Sequence, residues 1–205
     1  MNACLQYGFF RDPVRRPLVV GLALWWGWLA VAPSYREDWL LENLLVFAGV
    51  PAFVLLDRRV GFSRLSTLAA FLFLAAHVYG AHYTYSEAPF GFWLREIGGT
   101  VRNPYDRLVH FLFGLLLALP MRETVARYGA AGRVWTHLSA WMWIAALSTI
   151  YELLEWAAML VVAPDLGIAY LGTQGDVFDA HKDSALAIAG AAVTLAAHFL
   201  FGRRT

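Results

Sequence analysis

Two carboxylates, Glu152 and Glu155, stand inside a stretch from Val134 to Ala163 that is otherwise apolar enough to cross a membrane. An acid near the bilayer centre costs about 2.5–3.5 kcal/mol on insertion scales, so intramembrane acids usually face a bundle interior or a wet cavity and serve a function. Ser148, Glu152 and Glu155 share one helical face, and the glutamates, three residues apart, repel unless a cation or a basic partner lies between them. Nothing local solvates them. Pro164 is nine residues beyond Glu155, and a helix rises about 1.5 Å per residue. A purely structural clamp to His110 or Lys182 stays open as the plainer reading.

Other groups at the same depth carry similar pairs of readings. Asn103-Pro104-Tyr105-Asp106 has the form of a helix cap, a proline at the first helical position and an acid in the first turn. Asp106 could therefore only satisfy free amides and the helix dipole. His110 follows at i+4 on the same face, and an acid holding an imidazole is a common arrangement around a metal ligand or a base. Asp176 and Asp179 can be a cap and its capping-box partner, with His181 and Lys182 solvated at the interface. Asp183 continues their stripe about a turn deeper, where capping no longer accounts for it. His82 is the better ligand candidate in the third apolar segment, because His77, five residues earlier, points about 140° away on a regular helix. Tyr83 and Tyr85 read as an interfacial aromatic belt. Glu42, beside Asn43, reads as solvated near a helix end.

The elements that must position these groups are membrane helices. The chain has 205 residues, 60% hydrophobic, 16% aromatic and only 15% charged, with a positive mean hydropathy, which excludes an ordinary soluble domain. The net charge of +1 is uninformative, because what matters is which side of the membrane each charge occupies, and no basic stripe suggests nucleic acid as a partner; the expected partner is the lipid bilayer. Cys4 is the only cysteine, so any metal would take His and carboxylate ligands. Windows long enough to cross a core of roughly 30 Å run over Leu18–Ala32, Trp39–Leu56, Leu65–Ala81, Leu108–Leu119 (extended from Tyr105), Val134–Ala163 and Ser184–Phe201. The expected fold is all-α: a polytopic bundle of six transmembrane helices forming a single domain over residues 1–205. Ala30-Val31-Ala32 imitates a signal-peptidase site after a basic segment, although Trp25, Trp26 and Trp28 make an unusual signal core. The tryptophans of this first helix read as lipid-facing surface.

If six spans alternate, Arg11, Arg15, Arg16, Arg58, Arg59, Arg64, Arg122, Arg127, Arg133, Arg203 and Arg204 fall on one side, against Arg36, Arg95, Arg102, Arg107 and Lys182 on the other. The positive-inside rule then places both termini in the cytoplasm. A short interfacial helix is expected around Phe90–Ile97. On this topology Glu42, His77, His82, Asp106, His110, Glu152, Glu155, Asp176, Asp179, His181 and Asp183 all map to the outer half. The inner half has only His137 and His198.

The motifs His82-Tyr83-Thr84-Tyr85, Asn103-Pro104-Tyr105-Asp106-Arg107-Leu108-Val109-His110-Phe111, Tyr151-Glu152-Leu153-Leu154-Glu155-Trp156 and Gly172-Thr173-Gln174-Gly175-Asp176-Val177-Phe178-Asp179-Ala180-His181-Lys182-Asp183 together resemble the YjdF-like bacterial inner-membrane proteins, a family of unknown function. The resemblance implies an inner-membrane location and supports the helical architecture. More distantly, Asp106 to His110, the glutamate-bearing helix and Asp179 to Asp183 followed by Gly190 resemble the VanZ-like membrane proteins, some of which are linked to glycopeptide resistance. The second half departs from that pattern at Asp183 and Leu186, where asparagine and glycine are usual.

Three functions compete. In the first, Asp106, His110, His82, Asp179 and Asp183 hold a divalent cation (zinc, manganese or magnesium), with Glu152 and Glu155 as catalytic carboxylates. Such a metal could activate water against an envelope lipid or a cell-wall-linked substrate, or the site could bind a small polar ligand. The second is a proton-coupled transporter using the glutamate pair, against which stand the apolar inner half and the lack of an inverted repeat. The third is structural, including a resistance role without chemistry, although interhelical hydrogen bonds return only about 0.6 kcal/mol each. No feature of the sequence specifies an oligomeric state.

Overall fold

The computed structural model describes residues 12–129, 132–161 and 173–202. Cys4, Arg11, Gly172, Arg203, Arg204 and most of the loop from Pro164 to Gly175 lie outside the described residues. Within them the chain forms α1 (Arg15–Leu29), α2 (Arg36–Val60), α3 (Arg64–His82), α4 (Pro89–Gly98), α5 (Tyr105–Tyr128), α6 (Arg133–Val161) and α7 (Asp179–Phe201), with no strand among the described residues. α4 is the short helix expected around Phe90–Ile97; it starts on Pro89 and stops at Gly99, whose φ of 62° is the left-handed conformation that glycine adopts without a Cβ penalty.

Five helices, α2, α3, α5, α6 and α7, are long and apolar enough to cross a membrane. The sixth expected span, α1, is shorter: its 15 residues rise about 22 Å. Its two ends nevertheless match those of α3. At its start, Asp12 Oδ1 accepts the amides of Val14 and Arg15 at 2.8 and 3.1 Å. Arg15 then pairs with Asp57 at 2.6 Å and donates to the Phe62 carbonyl at 2.6 Å, in the turn between α2 and α3. At its other end the Leu29 carbonyl lies 2.7 Å from His82 Nδ1, at the end of α3. α1 therefore accompanies α2 and α3 through the same depth. The expectation for its tryptophans changes accordingly: Trp25 donates to the Ala75 carbonyl and Trp26 to Asn43 Oδ1, at 3.1 and 2.7 Å, and only Trp28 of the three is exposed.

α5 lies between two groups of helices, packing on α3 along one flank and on α6 and α7 along the other. Its seam with α7 is the closest among the described helices. A Cβ at Gly114 would overlap the Ala187 carbonyl oxygen, and one at Gly190 would overlap that of Phe111. Without a hydrophobic drive between helices in lipid, small residues that let backbones approach provide the packing. α6 is held along one stripe, Thr136, His137, Ala140, Ile144 and Ser148, which is buried. Its other faces carry exposed Trp135, Met142, Leu153 and Trp156.

Candidate functional site

The buried stripe of α6 continues past Ser148 into Tyr151, Glu152 and Glu155, at the helical spacings that keep one face. α5 brings Asp106, Val109, His110 and Phe113 to meet it on the same periodicity, and α7 adds Asp179 and Asp183. The capping ambiguity at the start of α5 is resolved by Asn103, whose Oδ1 accepts the Tyr105 amide at 3.0 Å. Asp106 instead faces inward. His110 Nε2 lies 3.5 Å from Asp106 Oδ1 and 3.5 Å from Glu152 Oε1. Asp106, His110 and Asp183 each place a ligand atom within 4.8 Å of the others. Ligand atoms around a small divalent ion sit at about 2.0–2.2 Å from it, so these side chains would draw in slightly on an ion. Asp183 is 2% exposed, and its Oδ1, like Glu152 Oε1 and Ser148 Oγ, is enclosed without a hydrogen-bond partner.

Asp179 and His82 do not join this group of ligand atoms. Asp179 takes Arg102 on both carboxylate oxygens and Arg107 at 3.2 Å, so guanidinium groups already satisfy it. Arg107 also reaches Asp176 at 2.5 Å, and Lys182 joins Asp176 at 2.6 Å. The Lys182 ammonium, the Phe178 amide and the Arg107 guanidinium hold the Asp176 carboxyl well below the usual carboxylate range. Asn103 and Gln174 exchange two further bonds, at 2.8 and 3.0 Å. This network straps the segment before α7 to the start of α5, over the site. His82 is turned to the Leu29 carbonyl and is not among the residues around the site.

The histidine of α3 that does enter is His77. The Tyr85 hydroxyl donates to its Nδ1 at 2.5 Å, and its Nε2 is 3.2 Å from the Glu42 carbonyl. Burial pushes the Tyr85 phenol well above its ordinary range, so it stays a donor, and both imidazole nitrogens are occupied. Glu42, expected to be solvated, is 3% exposed and accepts the Tyr151 hydroxyl at 3.0 Å. The sequence signal for it was available: Asp38, Trp39, Glu42 and Asn43 form the buried face of α2. Together Glu42, His77, Asp106, His110, Tyr151 and Glu155 line a cavity of about 260 Å³, whose remaining lining is mainly apolar.

An all-helical bundle with several membrane-spanning helices and a histidine–carboxylate cluster enclosed at one end is a polytopic membrane protein. The particular family is defined by comparison. The model of the predicted membrane protein family DUF2238 matches residues 14–204, and the chain belongs to that family. It is 36% identical over 161 residues to the inner membrane protein YjdF of Escherichia coli (strain K12), covering 78% of this chain and 77% of that protein. The chain is accordingly a YjdF-like, multi-pass inner-membrane protein. No solved structure matches it.

Proposed function

We propose that this protein binds a divalent cation through Asp106, His110 and Asp183, with Glu152 beside them, at the membrane face opposite its termini. The observation that supports the reading is the enclosed Asp183–His110–Asp106 group, whose Asp183 Oδ1 has no hydrogen-bond donor. A buried, unpaired carboxylate is strongly unfavourable, and the nearby guanidinium groups are engaged by Asp176, by Asp179 and, at 3.9 Å, by Asp106. A divalent ion is the compensating charge that fits one imidazole and two or three carboxylate oxygens; zinc, manganese and magnesium suit such ligands. A cation facing the cavity could polarise water against an envelope substrate, and Glu155, in the cavity wall, is the carboxylate that would take the proton. Basic residues at the other end of the bundle, Arg58, Arg59, Arg64, Arg122, Arg127 and Arg133 among them, support a cytoplasmic location for that end.

The test is elemental analysis by plasma mass spectrometry of protein purified in detergent and dialysed without chelator. Wild type should carry close to one zinc or manganese per chain, and both Asp183→Asn and His110→Ala should lose it. Folded wild-type protein without metal would leave the cluster as proton-bearing acids. Loss must also occur without unfolding, which circular dichroism of the same samples checks.

A further inference from the structure

The cavity has a side door. Its walls are supplied by α3 and α5 at the back and by α2 and α6 at the front, yet α2 and α6 do not pack along each other; the Tyr151 hydroxyl donating to Glu42 bridges them. At this front the lining residues Leu147, Ile150 and Leu154 of α6 are 37%, 49% and 60% exposed. In a membrane-spanning helix that exposure faces acyl chains. The cavity thus opens sideways into the bilayer through an apolar mouth and ends inside on carboxylates.

We propose that this cleft binds an aminophospholipid of the surrounding bilayer, its ammonium group between Glu42 and Glu155 and its acyl chains leaving between α2 and α6. Two observations select this occupant. No lysine or arginine among the described residues lines the cavity, whereas three carboxyl groups do, so an anionic head group finds no cationic partner there and one carrying an ammonium finds acceptors. The volume of about 260 Å³ equals roughly nine waters at about 30 Å³ each, enough for a head group and the first carbons but not for whole chains. The chains must therefore lie outside, where Leu147, Ile150 and Leu154 provide an apolar rim. A soluble polar ligand would have no use for such a mouth. The inference shares the cavity, Asp106 and His110 with the cation reading, and adds the class of substrate presented to it.

The test is calorimetric titration of the detergent-solubilised full-length protein with dihexanoyl-phosphatidylethanolamine and, separately, dihexanoyl-phosphatidylglycerol. The ethanolamine lipid should bind at least tenfold more tightly. Leu154→Trp, at a position already facing lipid, should block the mouth and weaken that binding about tenfold, and Glu42→Gln should remove the preference between the two lipids. Both variants should keep the cation content of wild type. Asp183→Asn, whose side chain is not in the cavity wall, should lose the cation and keep the lipid preference, so the two readings fail separately. Equal affinity for the two lipids in wild type, or ethanolamine-lipid binding untouched by Leu154→Trp and Glu42→Gln together, overturns the proposal.

Discussion

Asp183 Oδ1 and Glu152 Oε1 state the chemical problem of this protein at its smallest scale: enclosed oxygens that need a proton or a cation. If a cation occupies the site, its ligands must be deprotonated, so acid must compete with it. Metal content should fall when the purified protein is equilibrated at pH 5 instead of pH 8, and return on readjustment; content unchanged across that range would count against His110 and the carboxylates as ligands. The His77–Tyr85 pair is a different case, since both imidazole nitrogens are already used. Tyr85→Phe leaves a buried acceptor unsatisfied, which costs about 1–3 kcal/mol, and should lower the melting temperature while the metal content stays. The choice of His77 over His82 was not legible in the sequence. A helical wheel separates them by about 140° but does not say which faces inward. That is decided by Thr84 and Tyr85, non-glycine residues at φ 48° and 50°, which turn the chain so that the Tyr85 ring returns over Gly80 to His77. Asp179 and Asp183 share one stripe, and the sequence set Asp183 apart only as lying a turn deeper, beyond capping; that Arg102 and Arg107 occupy Asp179 depends on residues far away in the chain.

Among elements, the α5–α7 seam matters most, because it sets the distance between His110 and Asp183. Gly114 and Gly190 meet backbone atoms of the facing helix, which cannot rotate away as a side chain would. Gly114→Val should therefore force the helices apart, costing at least the roughly 1–3 kcal/mol of an overpacked core and reducing cation binding with it. Thermal denaturation and metal analysis of the same sample check both effects; an unchanged melting temperature would mean that the seam is looser than its geometry. The elements themselves were largely legible. Uninterrupted apolar windows located the five long helices, since membrane helices must satisfy their backbone internally and so advertise themselves by composition. The length of α1 was less so. Its apolar window ran on to Ala32, but the helix ends at Leu29, and its start is tied to the end of α2 by Arg15 and Asp57, a pair that no local pattern connects.

For the whole molecule the question is whether the site communicates with both sides of the membrane. On α6, Ala140 and Ile144 lie between Ser148 and His137, a rise of about 16 Å over that interval. Together with Ala118, Ala191 and Leu195 they form a cluster no more than 4% exposed. Below it His137 Nε2 lies 3.0 Å from His198 Nδ1 and His137 Nδ1 2.7 Å from the Arg133 carbonyl, so the two inner histidines satisfy each other without reaching the site. A dry layer of this kind carries no ions, which favours a site served from one face and from the bilayer over a transport path. Thiol accessibility tests it, helped by the presence of a single native cysteine. In a Cys4→Ser background, Glu87→Cys, at an exposed position beyond the site, should react with a small membrane-impermeant methanethiosulfonate added outside intact spheroplasts, and His198→Cys only when the same reagent reaches the cytoplasmic face of inverted vesicles. Reaction of both positions from the same face would break the seal. A clean exchange of the two sides would instead keep the seal and invert the orientation drawn from the arginines, placing the histidine–carboxylate site toward the cytoplasm.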